Sequence, residues 1–253
     1  MKRFLSIVSL TVFVVACSFE DEEKVTDVTG GWQHAGGNHF NENYAPLDQI
    51  NARNFAELEI AWRWVSADSR IPQDLNYPTG DYRAVPLVIG GVMYVNTNHG
   101  QVVALDPASG EELWIFDPES YRSGPPLFSP AQTRGIEYWT DGEIQRIFIA
   151  TLGKQLVSIV VDTGQPDINF GDNGFVDLRN DFGKLEFEIN NITHGAPPIA
   201  VGNSVIVGSK IYDTTMNNRS PPGHVRAYDA YTGQFKWRFN TIPQEGEPYN
   251  ETW

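Results

Sequence analysis

Three side chains in this 253-residue chain combine a reactive type with a suggestive setting. His99 ends the run Tyr94-Val95-Asn96-Thr97-Asn98-His99, which reads as a strand passing into a loop. A neutral imidazole there can donate one hydrogen bond and accept another, so it can engage a carbonyl oxygen or a hydroxyl. The plainer alternative is a histidine on a surface loop. Arg134 opens Arg134-Gly135-Ile136-Glu137-Tyr138-Trp139. Its planar fork matches a carboxylate, and the alternative is a surface ion pair in an acidic protein. Asp213 lies in the polar stretch from Tyr212 to Gly223. Carboxylate and carbonyl oxygens of this kind suit a hard divalent cation; the alternative is a turn aspartate. His34 and His39 stand five apart in a Gly/Asn-rich loop, with no third ligand spaced as in a zinc site.

Composition narrows the classes of function. Lys plus Arg number 18 against 32 Asp plus Glu, a formal charge of -14. A nucleic-acid backbone binder needs a basic stripe, and so does an electrostatic partner of anionic lipid. With 41% hydrophobic and 12% aromatic residues the chain is not a disordered one. One cysteine rules out a disulfide scaffold and a CxxC motif. No glycine-rich phosphate loop precedes a helix, and no nucleophile-elbow pattern occurs. The many Gly and Pro residues favour short strands and turns.

The N-terminus reads as an address. Lys2 and Arg3 precede an apolar run from Phe4 to Ala16. The run is shorter than the roughly 20 residues that span a bilayer, and it has the layout of a secretory signal. It ends Val14-Val15-Ala16-Cys17. A small residue directly before a lone cysteine resembles a bacterial lipoprotein signal over residues 1–17, with Cys17 lipidated and facing the periplasm. An ordinary signal peptide with an incidental cysteine is the alternative. Residues 18–27 follow as an acidic tether.

The remaining residues, 28–253, carry a repeat. Val102-Val103-Ala104-Leu105-Asp106-Pro107-Ala108-Ser109-Gly110-Glu111-Glu112-Leu113-Trp114 parallels Val225-Arg226-Ala227-Tyr228-Asp229-Ala230-Tyr231-Thr232-Gly233-Gln234-Phe235-Lys236-Trp237. The shared frame is Ala-x-Asp-x-x-(Ser/Thr)-Gly-x-x-x-Trp. A worn copy runs from Ser158 to Gly164, with Ile168 in the Trp place. A fragment, Leu58 to Trp62, keeps only the last strand and its Trp. Alternating apolar residues make a half-buried strand, Asp starts the turn, Gly supplies a positive φ, and Trp packs between neighbouring sheets. Further strand pairs precede the frame at Pro86–Val95 and Pro198–Val207. Each unit therefore has about four strands, as in a β-propeller blade, and units recur at intervals of roughly 50 to 70 residues. The expectation is an all-β propeller of about four blades, forming the N-terminal part of a longer ring.

At this point the residues resemble a known family, the quinoprotein dehydrogenases, and most closely its membrane-associated glucose dehydrogenase branch. The resemblance covers nearly everything from Trp32 to Trp253. It rests on the entry stretch Trp32-x-x-x-Gly36-Gly37 through Tyr44-Ala45-Pro46-Leu47-Asp48-Gln49-Ile50-Asn51, and on Asn54-x-x-x-Leu58-x-x-Ala61-Trp62. It rests further on Arg134 to Trp139, on Phe170-Gly171-Asp172-Asn173-Gly174, and on Thr241-Ile242-Pro243-Gln244 leading to Glu251-Thr252-Trp253. The resemblance implies an eight-bladed ring that uses pyrroloquinoline quinone (PQQ) and calcium or magnesium. It implies oxidation of a sugar or alcohol, with electrons passed to a quinone or cytochrome acceptor of the respiratory chain. It places His99 near cofactor and substrate, Arg134 against a cofactor carboxylate and Asp213 among the metal ligands. The family's catalytic Asp base corresponds to a position beyond Trp253.

Departures from the family pattern are specific. Ala45 replaces a more usual Ser, Thr214 follows Asp213 where relatives often have Asn, and Arg83 occupies an acidic position of some alcohol-oxidising members. Ala131-Gln132-Thr133 replaces their adjacent cysteines, and Gly195 stands where many relatives have Thr. These differences disfavour the methanol-oxidising branch. A reading from another class is a non-catalytic propeller lipoprotein that binds partner proteins, of the outer-membrane assembly type. It shares the anchor, the acidity and the Trp frame.

Overall fold

The computed structural model describes residues 31–75, 78–124, 133–183, 187, 192–210 and 221–252. Cys17, the signal and tether segments, Asp213 and Trp253 lie outside the described residues. Three four-stranded antiparallel sheets follow one another along the chain. The first comprises β1 (Leu87–Ile89), β2 (Val92–Asn96), β3 (Val102–Leu105) and β4 (Glu112–Phe116). The second comprises β5 (Glu137–Thr140), β6 (Gln145–Ala150), β7 (Gln155–Val160) and β8 (Phe175–Asp177). The third comprises β9 (Ile199–Val201), β10 (Ser204–Gly208), β11 (Val225–Asp229) and β12 (Phe235–Phe239). Each is a meander, with every strand paired to its chain neighbour.

The turn frame forms as its residues dictate. Asp106 Oδ1 accepts from the amides of Ala108 and Ser109 at 2.8 Å each, and from Ser109 Oγ at 3.0 Å. Asp229 Oδ1 accepts from the amides of Tyr231 and Thr232 at 3.0 Å each, and from Thr232 Oγ1 at 3.1 Å. The glycine four residues on then takes φ +75° at Gly110 and +71° at Gly233, a conformation that costs other residues about 1 kcal/mol or more.

Each docking Trp belongs to one unit and covers the glycine of the next. A Cβ on Gly110 would lie 2.6 Å from the Trp62 ring, and one on Gly164 would lie 2.5 Å from the Trp114 ring. The indoles also donate, Trp62 Nε1 to Pro107 O at 3.0 Å and Trp114 Nε1 to Val161 O at 3.1 Å. The sheets pack face to face through two apolar layers. Leu87, Ile89 and Val102 meet Ile136, Ile147 and Val157 between the first and second sheets. Phe148, Leu156 and Phe170 meet Ala200, Val205 and Tyr228 between the second and third. The second sheet is therefore the middle one.

One expected feature is corrected. Ile168 does not take the Trp place, being 74% exposed. The fourth strand of the middle unit lies further on, at Phe175–Asp177, beyond the turn Phe170 to Gly174. At Gly233 the contact comes instead from Val176 Cγ2 and the Gly171 amide, which a Cβ would meet at 2.7 and 2.9 Å. The buried Arg146 supplies the missing clasp. It pairs with Asp167 and donates to the carbonyls of Ala230 and Tyr231 on the third sheet.

Candidate functional site

In an antiparallel meander the loop joining the second and third strands lies at the same end as the segment entering the first strand. Here these are the β2–β3, β6–β7 and β10–β11 loops and the segments leading into β5 and β9. They carry every described site candidate. Contacts confirm that they meet. Asn96 Nδ2 donates to Thr133 O at 2.8 Å, and Thr133 Oγ1 donates to Asn98 O at 3.3 Å. The loop of His99 is thus tied to the residue before Arg134. Gly135 abuts Pro197, whose Cβ lies 3.2 Å from where a glycine Cβ would stand. Lys210 N donates to Thr193 O at 2.9 Å, and Ser209 N donates to His224 O at 3.1 Å. Both edges of the segment that holds Asp213 are therefore anchored at this end, beside His194.

His99 is buried, 1% exposed, and not on the surface. Its backbone is pinned from outside its own sheet, because Asp68 Oδ2 accepts from the amides of Asn98 at 3.1 Å and His99 at 3.4 Å. Asn98 Nδ2 also donates to Gly80 O at 2.9 Å. Both ring nitrogens of His99 are buried without a protein partner. An imidazole so placed is unsatisfied until something polar reaches it. Arg134, by contrast, exposes its side chain at the same end. An accessible guanidinium and an unpartnered imidazole at one end of the sheets are donors of the kind that carboxylates and quinone oxygens accept from. Gly195 leaves its neighbourhood open, since a Cβ there would meet only Lys210 Cδ at 3.8 Å.

Two more buried histidines gather here. His194 Nδ1 lies 2.9 Å from Gly208 O, while its Nε2 has no partner. Burial pushes its pKa down to about 4. His224, stacked on Phe182, is pushed down to about 4 by the same cause. Arg226 is fully buried, donates to Leu178 O and Asn180 O, and sits 3.9 Å from the Phe182 ring centre. Lys154 is half-buried in the β6–β7 loop with φ +64°. Sequence patterning missed these residues, because their burial depends on contacts between sheets.

Among the described residues no group of three His, Cys, Asp or Glu side chains is placed to hold a metal ion. His34 and His39 stack with ring centres 3.9 Å apart, and His34 Nδ1 lies 3.4 Å from Glu137. A cleft of about 590 Å³ is lined by Trp62, Trp64, Met93, Val95 and the Asn96–Asn98 loop, but neither His99 nor Arg134 borders it. Asp68 and Asn98, which hold the His99 loop, line it together with the apolar Met93, Val95 and Leu105, so the cleft abuts that loop.

Trp-docked four-stranded meanders with their polar loops gathered at one end define blades of a β-propeller. A family model described as the glucose/ethanol/alcohol dehydrogenase beta-propeller domain of PQQ proteins matches residues 32–253, and the chain belongs to that family. It is 28% identical to quinoprotein glucose dehydrogenase A of Acinetobacter calcoaceticus, over 86% of this chain and 30% of that protein. It is 29% identical to the dehydrogenase subunit of the quinone alcohol dehydrogenase of Gluconobacter oxydans, over 98% of this chain and 31% of that protein. The fold matches the crystal structure of quinohemoprotein alcohol dehydrogenase from Comamonas testosteroni with a TM-score of 0.66 at 24% identity, covering 87% of this chain and 28% of that one. The chain spans about three-tenths of the length of the curated relatives it matches.

Proposed function

We propose that this propeller serves a PQQ-dependent dehydrogenase that oxidises a sugar or an alcohol and passes electrons to a respiratory quinone or cytochrome. The observation that carries the reading is that the unpartnered His99 imidazole, on the β2–β3 loop, and the accessible Arg134, leading into β5, belong to the same end of the sheets in a chain of this family. When bound, the quinone supplies the acceptor for the hydride leaving the carbinol carbon. The chain's own residues do the positioning. Arg134 holds a cofactor carboxylate in its planar fork. His99 donates from one ring nitrogen to a quinone oxygen or substrate hydroxyl, and Asp68 keeps its loop in place. Asp213 contributes a carboxylate to a calcium or magnesium ion. Export behind the signal of residues 1–17, with lipid on Cys17, places the enzyme on a bacterial membrane facing the periplasm.

The test is titration of the intact apoprotein with PQQ, with and without calcium or magnesium. Saturable uptake that needs the divalent ion is expected. Arg134→Ala should weaken it roughly 10- to 100-fold, the worth of a hydrogen bond to a charged group. Absence of uptake under every condition overturns the reading and favours the non-catalytic propeller that binds partner proteins.

A further inference from the structure

The β2–β3 and β6–β7 loops are built alike. Thr97 N donates to Gln101 O at 2.8 Å, and Thr151 N to Gln155 O at 2.8 Å. Gly100 N donates to Thr97 O at 3.1 Å, and Lys154 N to Thr151 O at 3.0 Å. The side chains of Thr97 and Thr151 accept from Gln101 N and Gln155 N at 3.1 and 3.3 Å. Lys154 therefore occupies the place of Gly100, and both have positive φ, +64° and +87°. Glycine is at ease in that region and lysine is not. A residue kept in a disfavoured conformation that a sibling loop fills with glycine points to a task for its side chain.

The surroundings say what task. Lys154 is half-buried and has no ion-pair partner among the described residues, in a protein of net charge -14. The titrating groups that interact with it are Arg179, the Asp177 carboxylate on which Arg179 is already bidentate, and the buried His194. Arg226 lies behind, fully buried. Burial and the positive charge of Arg179 lower the Lys154 pKa, while Arg226 and Lys154 both help to hold His194 neutral. His194 Nε2 is buried without a partner. Among the described residues, positive and donor groups thus outnumber the carboxylates that act on them, Asp177, Asp181 and Glu247, at the site end of the second and third sheets. Such an imbalance is relieved by an anion.

We infer that Lys154 and His194 form a carboxylate-binding subsite beside the His99–Arg134 end of the sheets. The lysine supplies the charge and His194 Nε2 a directed hydrogen bond, in the tautomer that carries its proton there. The carboxylate belongs either to the quinone cofactor or to an acidic substrate. Only that choice rests on the dehydrogenase reading.

The test uses the intact protein and the variants Lys154→Met and Lys154→Gly. Wild type and variants are titrated with PQQ and its trimethyl ester, then with gluconate and gluconamide. A cofactor carboxylate is indicated if the Kd for PQQ rises about tenfold or more in both variants while the triester is unaffected. A substrate carboxylate is indicated if gluconate alone weakens by that factor and gluconamide does not. Lys154→Gly, which restores the sibling loop's residue, should also raise the melting temperature as it weakens the acid. A purely structural lysine would not produce that opposition. Unchanged Kd values for both acids, or wild type binding neither, overturn the subsite. Failure of wild type to take up PQQ with gluconate still discriminated overturns the cofactor reading alone.

Discussion

Arg146 offers the sharpest energetic test. Its side chain is 3% exposed and that of its partner Asp167 is 8% exposed. The guanidinium also reaches two carbonyls of the third sheet, those of Ala230 and Tyr231, and lies 5.7 Å from the Trp139 ring centre. Arg146→Met would leave the Asp167 carboxylate buried with only the Asn169 amide, at 2.9 Å, to satisfy it. Stripping one partner from a buried ion pair costs about 3–5 kcal/mol, and each orphaned carbonyl adds roughly 1 kcal/mol. The expected loss is therefore about 5 kcal/mol. Arg146→Met combined with Asp167→Leu removes both charges and should cost roughly 2 kcal/mol, less than Arg146→Met alone. Urea unfolding of the intact protein and its variants gives the numbers, provided the m-value is unchanged. A loss under about 1 kcal/mol for Arg146→Met, or costs that simply add in the double variant, would refute the view that this pair clasps the sheets where the docking Trp is missing.

Other expectations follow the same reasoning. Gly164→Ala must hold φ +68° with its Cβ 2.5 Å from Trp114, so a destabilisation above about 2 kcal/mol is expected, and a wild-type urea midpoint would contradict the docking geometry. His99→Leu removes a buried ring whose nitrogens have no partner, so stability should hold or rise while PQQ affinity falls; a large drop in melting temperature would show a structural histidine instead. His194 and His224 protonate only near pH 4 when folded, but near 6.5 when unfolded. The unfolded chain binds more protons between those values, so stability falls as the pH drops from about 6.5 towards 4. Replacing both histidines should flatten that slope, and an unaltered pH dependence would remove them as its source.

What could be read from the sequence was local. The Asp-to-Gly turn closes within five residues and its Trp follows at fixed spacing, so the strand repeat and the packing of Trp between sheets were legible, whereas the glycine each Trp covers was not. The middle unit was not, because its fourth strand waits until after the Phe170–Gly174 turn and leaves Ile168 in solvent. Its compensation, Arg146 with Asp167, joins residues that no short pattern links. His99 was legible as a candidate, but its burial was not, since Asp68 holds the loop from thirty residues upstream. The match of Lys154 to Gly100 was not read from the sequence; it emerged from the shared hydrogen bonds and backbone angles of the two loops.

The docking contacts also have a direction in time. Each indole reaches forward, Trp62 to a carbonyl 45 residues later and Trp114 to one 47 residues later. A ribosome emits the Trp well before the turn that receives it. During synthesis the sheet that carries Trp114 therefore presents a bare aromatic edge until the turn that receives it is made. Codons or chaperones that slow the chain at such a boundary would lengthen the life of a sticky surface, and substitutions in a receiving turn should be felt as misassembly of the preceding blade.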